Sequence, residues 1–407
     1  MSSPVVAPRS VAATPARGSA RPLLFLAMAV CSGATVANVY LAQPLLALLA
    51  GGFGASRSAA GVVVTCAQFG YAAGILLLVP LGDVRRRRPL LGALLAVTVA
   101  MLLAAAAAPG LAVLAAATAL IGGATVIPQV LVPLAAELAP PERRASVVAN
   151  VQIGLLTGIV GSRVVGGAVG QLLGWRAVYL LAAALTAVAG AVTVRLLPAE
   201  GERTGPRYTS LLASLPRLLR EQPALRHSSL LHGALFGAYS ATWTTLVLVL
   251  TGRHYHFSSA VAGLFGLLGL AGAVAAPWAG RFIDRRGPLP IAAAALLLTL
   301  LSAGAYALGS SRLVAVILGI VLANVGVQWS QLANQARVLA HLPDVRSRAN
   351  TVFMVIVFLC GAVAAAASTA CYGAFGWGGV CAVQAALALA GLLVLPAAYR
   401  YDSNNHH

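Results

Sequence analysis

The chain has 407 residues, 60% of them hydrophobic and 9% charged, with a mean hydropathy of +0.89. That much apolar surface has no hiding place in a water-soluble fold, so a membrane protein is expected. The net charge of +18 does not point to nucleic acid: all 27 basic residues are arginine, and nearly all lie in short breaks between apolar runs, as membrane anchors do.

Residues 1–21 are rich in Pro, Ala and Ser and read as a disordered cytoplasmic tail, because the apolar run from Pro22 to about Leu49 is too long for a signal peptide. At about 20 residues per crossing, the apolar runs resolve into twelve spans. They are centred near Ser32, Phe69, Thr98, Gly123, Leu156, Ala184, Ser240, Leu268, Leu297, Val321, Cys360 and Ala388. The expected fold is an all-α integral membrane protein with two six-helix bundles, 22–198 and 228–398. Between them, 199–227 is a cytoplasmic loop, and 399–407 a second cytoplasmic tail. Within the loop, Leu211, Leu212, Leu215, Leu218 and Leu219 oppose Arg217 and Arg220, which suits a short helix on the membrane surface.

With both termini inside, the outer loops hold Arg57, Arg176, Arg253 and Arg312. The inner ones hold the Arg85 to Arg88 run, Arg143, Arg144, Arg281, Arg285, Arg286, Arg337, Arg346 and Arg348. This excess sets the orientation. All five cysteines fall inside apolar runs and read as packing residues, with no disulfide framework or metal-ligand spacing.

Polar side chains inside spans are costly and normally face the bundle interior. In chain order they include Asn38, Tyr40 and Gln43 in span one, Gln68 in two and Gln129 in four. Tyr239, Ser240 and Trp243 follow in seven, and Asn324 and Gln328 in ten. Interhelical hydrogen bonding and cavity lining both account for such residues. Phe236, Tyr239 and Trp243 share one face of span seven, as ordinary packing or as an aromatic wall for a partly apolar ligand. His232, about a turn inside span seven, fits either a packed, hydrogen-bonded histidine or a proton carrier. No Asp or Glu occupies the middle of any span.

Span five carries a ridge of small residues every fourth position, Gly154, Gly158, Ser162, Gly166 and Gly170, on which another backbone can lie close. Span eight has its own in Gly263, Gly266, Gly269 and Gly272. Beside the first ridge stands Arg163, about 27 Å along its span. A charge there costs about 2.5–3.5 kcal/mol on insertion scales. Its side chain either snorkels outward or enters a polar network that locks the outer side or receives an anionic group.

The halves also repeat. PLGDVRRRRP after span two corresponds to AGRFIDRRGP after span eight, and GWRAV before span six to GWGGV before span twelve. A duplicated six-span unit suits a transporter whose bundles rock around a central site. The spans, central loop and paired motifs resemble the major facilitator superfamily. Gly280, Asp284, Arg285 and Gly287 fit its Gly-x-x-x-Asp-Arg-x-Gly signature; in the first copy Val79, Val84 and Arg86 stand at the first glycine, arginine and second glycine places. ATVANVYLAQPLL and RSRANTVFMV are similar to a bacterial drug and metabolite efflux branch. In the antiporter signature Gly-x-x-x-Gly-Pro-x-x-Gly-Gly, Gly158, Gly166 and Gly167 match, with Ser162 for the second glycine and Arg163 for the proline.

The resemblance implies that spans one, four, seven and ten line the cavity and that spans five and eight pair. It also implies that Asp83 meets the start of span eleven and Asp284 the start of span five. Gating is then expected of Asp83, Arg85, Arg87, Asp284 and Arg285, and helix packing of Gly154, Gly158, Gly166 and Gly269. The expected function is export of small organic molecules from a bacterial cytoplasmic membrane by a monomer with no cofactor or metal, with the proton as coupling ion by resemblance alone. Relatives that use protons commonly carry a cavity carboxylate and an arginine in span four, and both are missing here. Uptake or exchange of an anionic metabolite is the alternative, and a transporter-like sensor a more distant one. No Walker motif or catalytic constellation appears.

Overall fold

Eleven helical stretches are long and apolar enough to cross a membrane in the computed structural model, which describes residues 20–198, 207–252, 254–309 and 312–405. The first six are Pro22–Tyr40, Arg57–Val84, Arg87–Ala106, Leu111–Leu138, Pro141–Leu173 and Trp175–Leu196. After the surface helix Tyr208–Glu221 come Pro223–Leu250, Ser259–Arg286, Pro288–Leu308 and Leu313–His341. These are spans one to ten. The last stretch, Arg346–Asn405, holds two helices joined at Gly376, where φ 64° and ψ −150° leave the helical region. Only a residue without Cβ adopts that conformation readily. The segments 346–375 and 377–405 stand where the sequence expects spans eleven and twelve. Most of the 1–21 tail and 199–206 of the central loop lie outside the described residues, as does Arg253.

Three spans are interrupted where side chains must be aimed. Pro44, which has no N–H to give to the Tyr40 carbonyl, ends span one and starts the 3-10 turn Gln43–Leu45. Span four breaks at Thr125 and Val126, just before Pro128. Span eight runs as α over Ser259–Leu264, as 3-10 over Phe265–Gly269, then as α again.

Spans five and eight pair as expected, but the span-five ridge is not what joins them. A Cβ on Gly154 would strike the Ala29 backbone and one on Gly158 the Gly33 backbone, so both glycines admit span one of their own half. Gly166 faces Pro44. Span eight is met instead by Gly167 and Arg163, opposite Gly263 and Gly266. Gly269 lies beside Asn324 and Arg163. Ridge spacing announces that a backbone is near without naming it, and span one is the nearer neighbour.

The expected tail 399–407 also differs. Residues 399–405 continue the last helix, and Asp402 clamps the fully buried Arg337 at 2.6 Å. Arg337 further donates to the Ala224 carbonyl and the Ser228 hydroxyl, so one guanidinium ties together the ends of spans seven, ten and twelve.

Candidate functional site: the interface between the halves

At the end remote from the termini, Arg163 is 3% exposed and reaches across the halves. Its Nε donates to Gln43 Oε1 at 3.3 Å and its Nη2 to the Tyr239 hydroxyl at 3.0 Å. The guanidinium carbon lies 3.9 Å from the centre of the Trp243 ring, 5.6 Å from that of Tyr40 and 5.8 Å from that of Tyr239. Such faces attract a cation most when water is excluded. The turn at Pro44 presents Gln43, and the span-eight glycines make room: a Cβ on Gly266 would stand 2.8 Å from the Arg163 Cβ. Nearby, Arg57 donates to the Leu248 carbonyl at 3.2 Å, and Gln171 accepts from the Ser259 amide at 3.3 Å. This end of the interface is therefore held at three places.

Midway, Gln68 and Ser240 form a reciprocal pair across the halves at 2.8 and 3.0 Å. Gln129 donates to the Tyr71 hydroxyl at 3.2 Å. Asn38 turns inward to its own half and donates to Thr125 and Thr186. Asn324 bonds its own helix at the Ile320 carbonyl, and Gln328 lies against Gly272. His232 is buried, with Nδ1 3.0 Å from the Ser330 hydroxyl and its ring stacked on Phe353.

At the end that carries the termini, Asp83 accepts a hydrogen bond from Ser347, at the start of segment 346–375, at 3.2 Å. Arg87 is buried and grips both oxygens of Glu137 at 2.6 and 2.8 Å. A cavity of about 330 Å³ opens here, lined by Asp83, Arg87, Gln129, Glu137, Arg346 and Asn350, among others. Arg85, Asp284 and Arg285 are exposed, and among the described residues none forms an ion pair or side-chain hydrogen bond. No group of three or more potential ligands able to hold a metal occurs among the described residues.

The structure thus gathers Tyr40, Gln43, Arg163, Tyr239 and Trp243 into one cluster and Gln68 and Ser240 into another, while Asn38, Asn324 and His232 stay within their own halves. Sequence reasoning missed the Arg337–Asp402 clamp and the partner of Arg87. The available signal was only that Arg87, Glu137, Arg337 and Asp402 all stand at span ends on the side of the termini.

Comparison with known proteins agrees with this geometry. The family model for the Major Facilitator Superfamily matches residues 28–333 and again 233–406. A probable transporter of Streptomyces coelicolor, SCO4007, is 44% identical over 91% of this chain and 86% of its own. The uncharacterized transporter YgaY of Escherichia coli K12 is 39% identical over 92% of this chain and 95% of its own. Among solved structures, the nucleoside transporter NupG superposes with a TM-score of 0.73 at 12% identity, covering 94% of this chain and 99% of that one, a likeness of fold alone. A multi-pass, all-helical chain with these relatives belongs to the major facilitator superfamily, as a membrane transporter.

Proposed function

We propose that the protein exports small organic molecules across a bacterial cytoplasmic membrane by proton-coupled alternating access, with both termini in the cytoplasm. The carrying observation is the contrast between the two ends of the interface. One is clasped by Arg163 in its aromatic cage; the other holds a charged cavity between the halves. The arginine excess on the terminal side supports placing that cavity toward the cytoplasm, where an exporter loads. Gln68, Gln129, Tyr239, Ser240 and Trp243 are the substrate-facing candidates, with Asn38, Asn324 and Gln328 behind them. Asp83, Arg85, Arg87, Asp284 and Arg285 are the gate. Two groups compete for the proton: His232 within the second half, and Glu137, half exposed at the cavity and paired with Arg87. The test is flux in proteoliposomes of cationic, neutral and anionic compounds, with and without a pH gradient. Efflux driven by the gradient supports the proposal; facilitated flux indifferent to it removes the proton.

One observation favours a second reading. Arg163 Nη1 makes no hydrogen bond among the described residues, and the Trp243 Nε1–H and Tyr306 hydroxyl in the adjoining cluster are buried without partners. Donors around one cation, lacking an acceptor, suit an anionic group, as in uptake or exchange of an anionic metabolite. Preference for an anion over its neutral isostere in the same panel, with net uptake, would select this reading.

A further inference from the structure

Span five opens with the 3-10 turn Pro141–Arg143, and there Glu142 and Arg143 are exposed with no ion pair or side-chain hydrogen bond among the described residues. Below them a groove of about 1400 Å³ runs between spans one, five and six. Its exposed walls are Leu26 and Val30 of span one, Ile153 of span five, and Leu185 and Val188 of span six. It therefore opens sideways to the bilayer rather than toward the interface between the halves, and it exceeds the ~300–1,000 Å³ of sites for drug-sized ligands.

The lining is graded. Along the face of span five, Arg143 is followed by Ser146, Asn150 and Ile153 at helical spacing. Asn150 stands about 10 Å below Arg143 along the axis, and its side chain is exposed with no hydrogen bond among the described residues. An amide facing hydrocarbon is costly unless something in that layer answers it. From Ile153 inward the lining is mostly apolar, with Asn38, Thr157 and Ser162 as its polar side chains. Two opposite charges, then an amide, then hydrocarbon reproduce the layers of one phospholipid: headgroup, ester belt and acyl chains. Glu142 beside Arg143 disfavours a headgroup of net negative charge, and a carboxylate rewards an ammonium that has N–H to donate.

We propose that this groove binds one zwitterionic phospholipid with a primary ammonium headgroup, phosphatidylethanolamine, from the leaflet on the side of the termini. Its phosphate sits on Arg143, its ammonium on Glu142 and an ester carbonyl on Asn150, with the chains between spans one and six.

The test is native mass spectrometry of the full-length protein, released in mild detergent from vesicles of equal phosphatidylethanolamine, phosphatidylcholine and phosphatidylglycerol. The wild type should retain one phosphatidylethanolamine in preference to the others. The double variant Glu142→Gln, Arg143→Ala should lose that preference by about tenfold, the factor that 1.4 kcal/mol supplies. Asn150→Trp, which fills the groove without touching the headgroup residues, should lower total retention. Arg217→Ala with Glu221→Gln removes the same charges from the exposed surface helix and should leave retention unchanged. Retention of phosphatidylglycerol that depends on Arg143 alone would overturn the choice of headgroup. Equal retention of all lipids by every variant, or none by the wild type, would overturn the site.

Discussion

The two copies of the loop motif behave opposite to their sequences. The complete copy, GRFIDRRG, leaves Asp284 and Arg285 exposed and unpaired among the described residues. The degenerate copy, PLGDVRRRRP, is engaged: Asp83 accepts from Ser347, and Arg87 holds Glu137. The cause is how the halves lean. Span two meets segment 346–375 along its length, whereas span five meets span eight mainly over Ser259–Gly269, toward the end remote from the termini. A motif encodes a contact available in some conformation, and the lean decides which copy makes it.

The same end of each half carries one buried arginine with a different reach. Arg87 joins spans three and four, whereas Arg337 joins spans seven and ten to the last helical turns of the chain. The largest expected effect breaks this second contrast. Arg337→Ala strands Asp402, whose side chain is 15% exposed, and should cost about 3–5 kcal/mol of stability. Arg87→Ala leaves a half-exposed Glu137 that water can reach, and should cost about 1–3 kcal/mol. Thermal unfolding of the two variants in one detergent reads the difference; equal losses would dissolve the distinction.

Next in size is the clasp itself. Hydrogen bonds to a charged group are worth about 1.5–3 kcal/mol, so Arg163→Ala should shift the balance of states by roughly 10- to 150-fold. Labelling of a cysteine placed at Ala55 should rise accordingly, and transport should fall. Arg163→Lys keeps the charge but not the planar fork. Recovery with Lys would reduce the cage to a positive field; wild-type behaviour of both variants would remove Arg163 from function.

The glycines sharpen the contrast between packing within a half and packing across halves. Gly158→Leu collides with span one and should lower folded yield, at a cost of at least about 1–3 kcal/mol. Gly263→Leu meets Arg163 and Gly167 across the interface, and should spare yield while impairing transport. The opposite pattern would return the span-five ridge to the interface.

The smallest effect tests the motif copies directly. An exposed hydrogen bond is worth about 0.5–1.5 kcal/mol, so Asp83→Asn should weaken closure at the terminal end by about two- to twelvefold. Asp284→Asn should change it less when accessibility of a cysteine at Asn350 is followed. Equal effects would mean that the unpaired aspartate closes in a conformation of comparable population.

The sequence made the spans and the repeat legible because hydrocarbon thickness and duplication both write themselves as long-period patterns. It also singled out Tyr40, Gln43, Arg163, Tyr239 and Trp243, but not as one set, since only folding brings spans one, five and seven to the same level. Asp402 reads as part of a polar tail until the helix is seen to run on past it. The partner of Gly154 and Gly158 was illegible for a geometric reason: a four-residue ridge lies on one helix face, and which neighbour covers that face depends on how the helix is rotated in the bundle.

The five-residue 3-10 stretch Phe265–Gly269 lies beside Arg163, inside a span that is otherwise α. Each 3-10 residue advances about 2.0 Å and turns about 120°, against about 1.5 Å and 100° for α. Rewinding all five to α would shorten span eight by about 2.5 Å and twist one part against the other by about 100°. A change of pitch here would carry Gly266 around the axis, away from the guanidinium, and would turn the α parts Ser259–Leu264 and Leu270–Arg286 against each other.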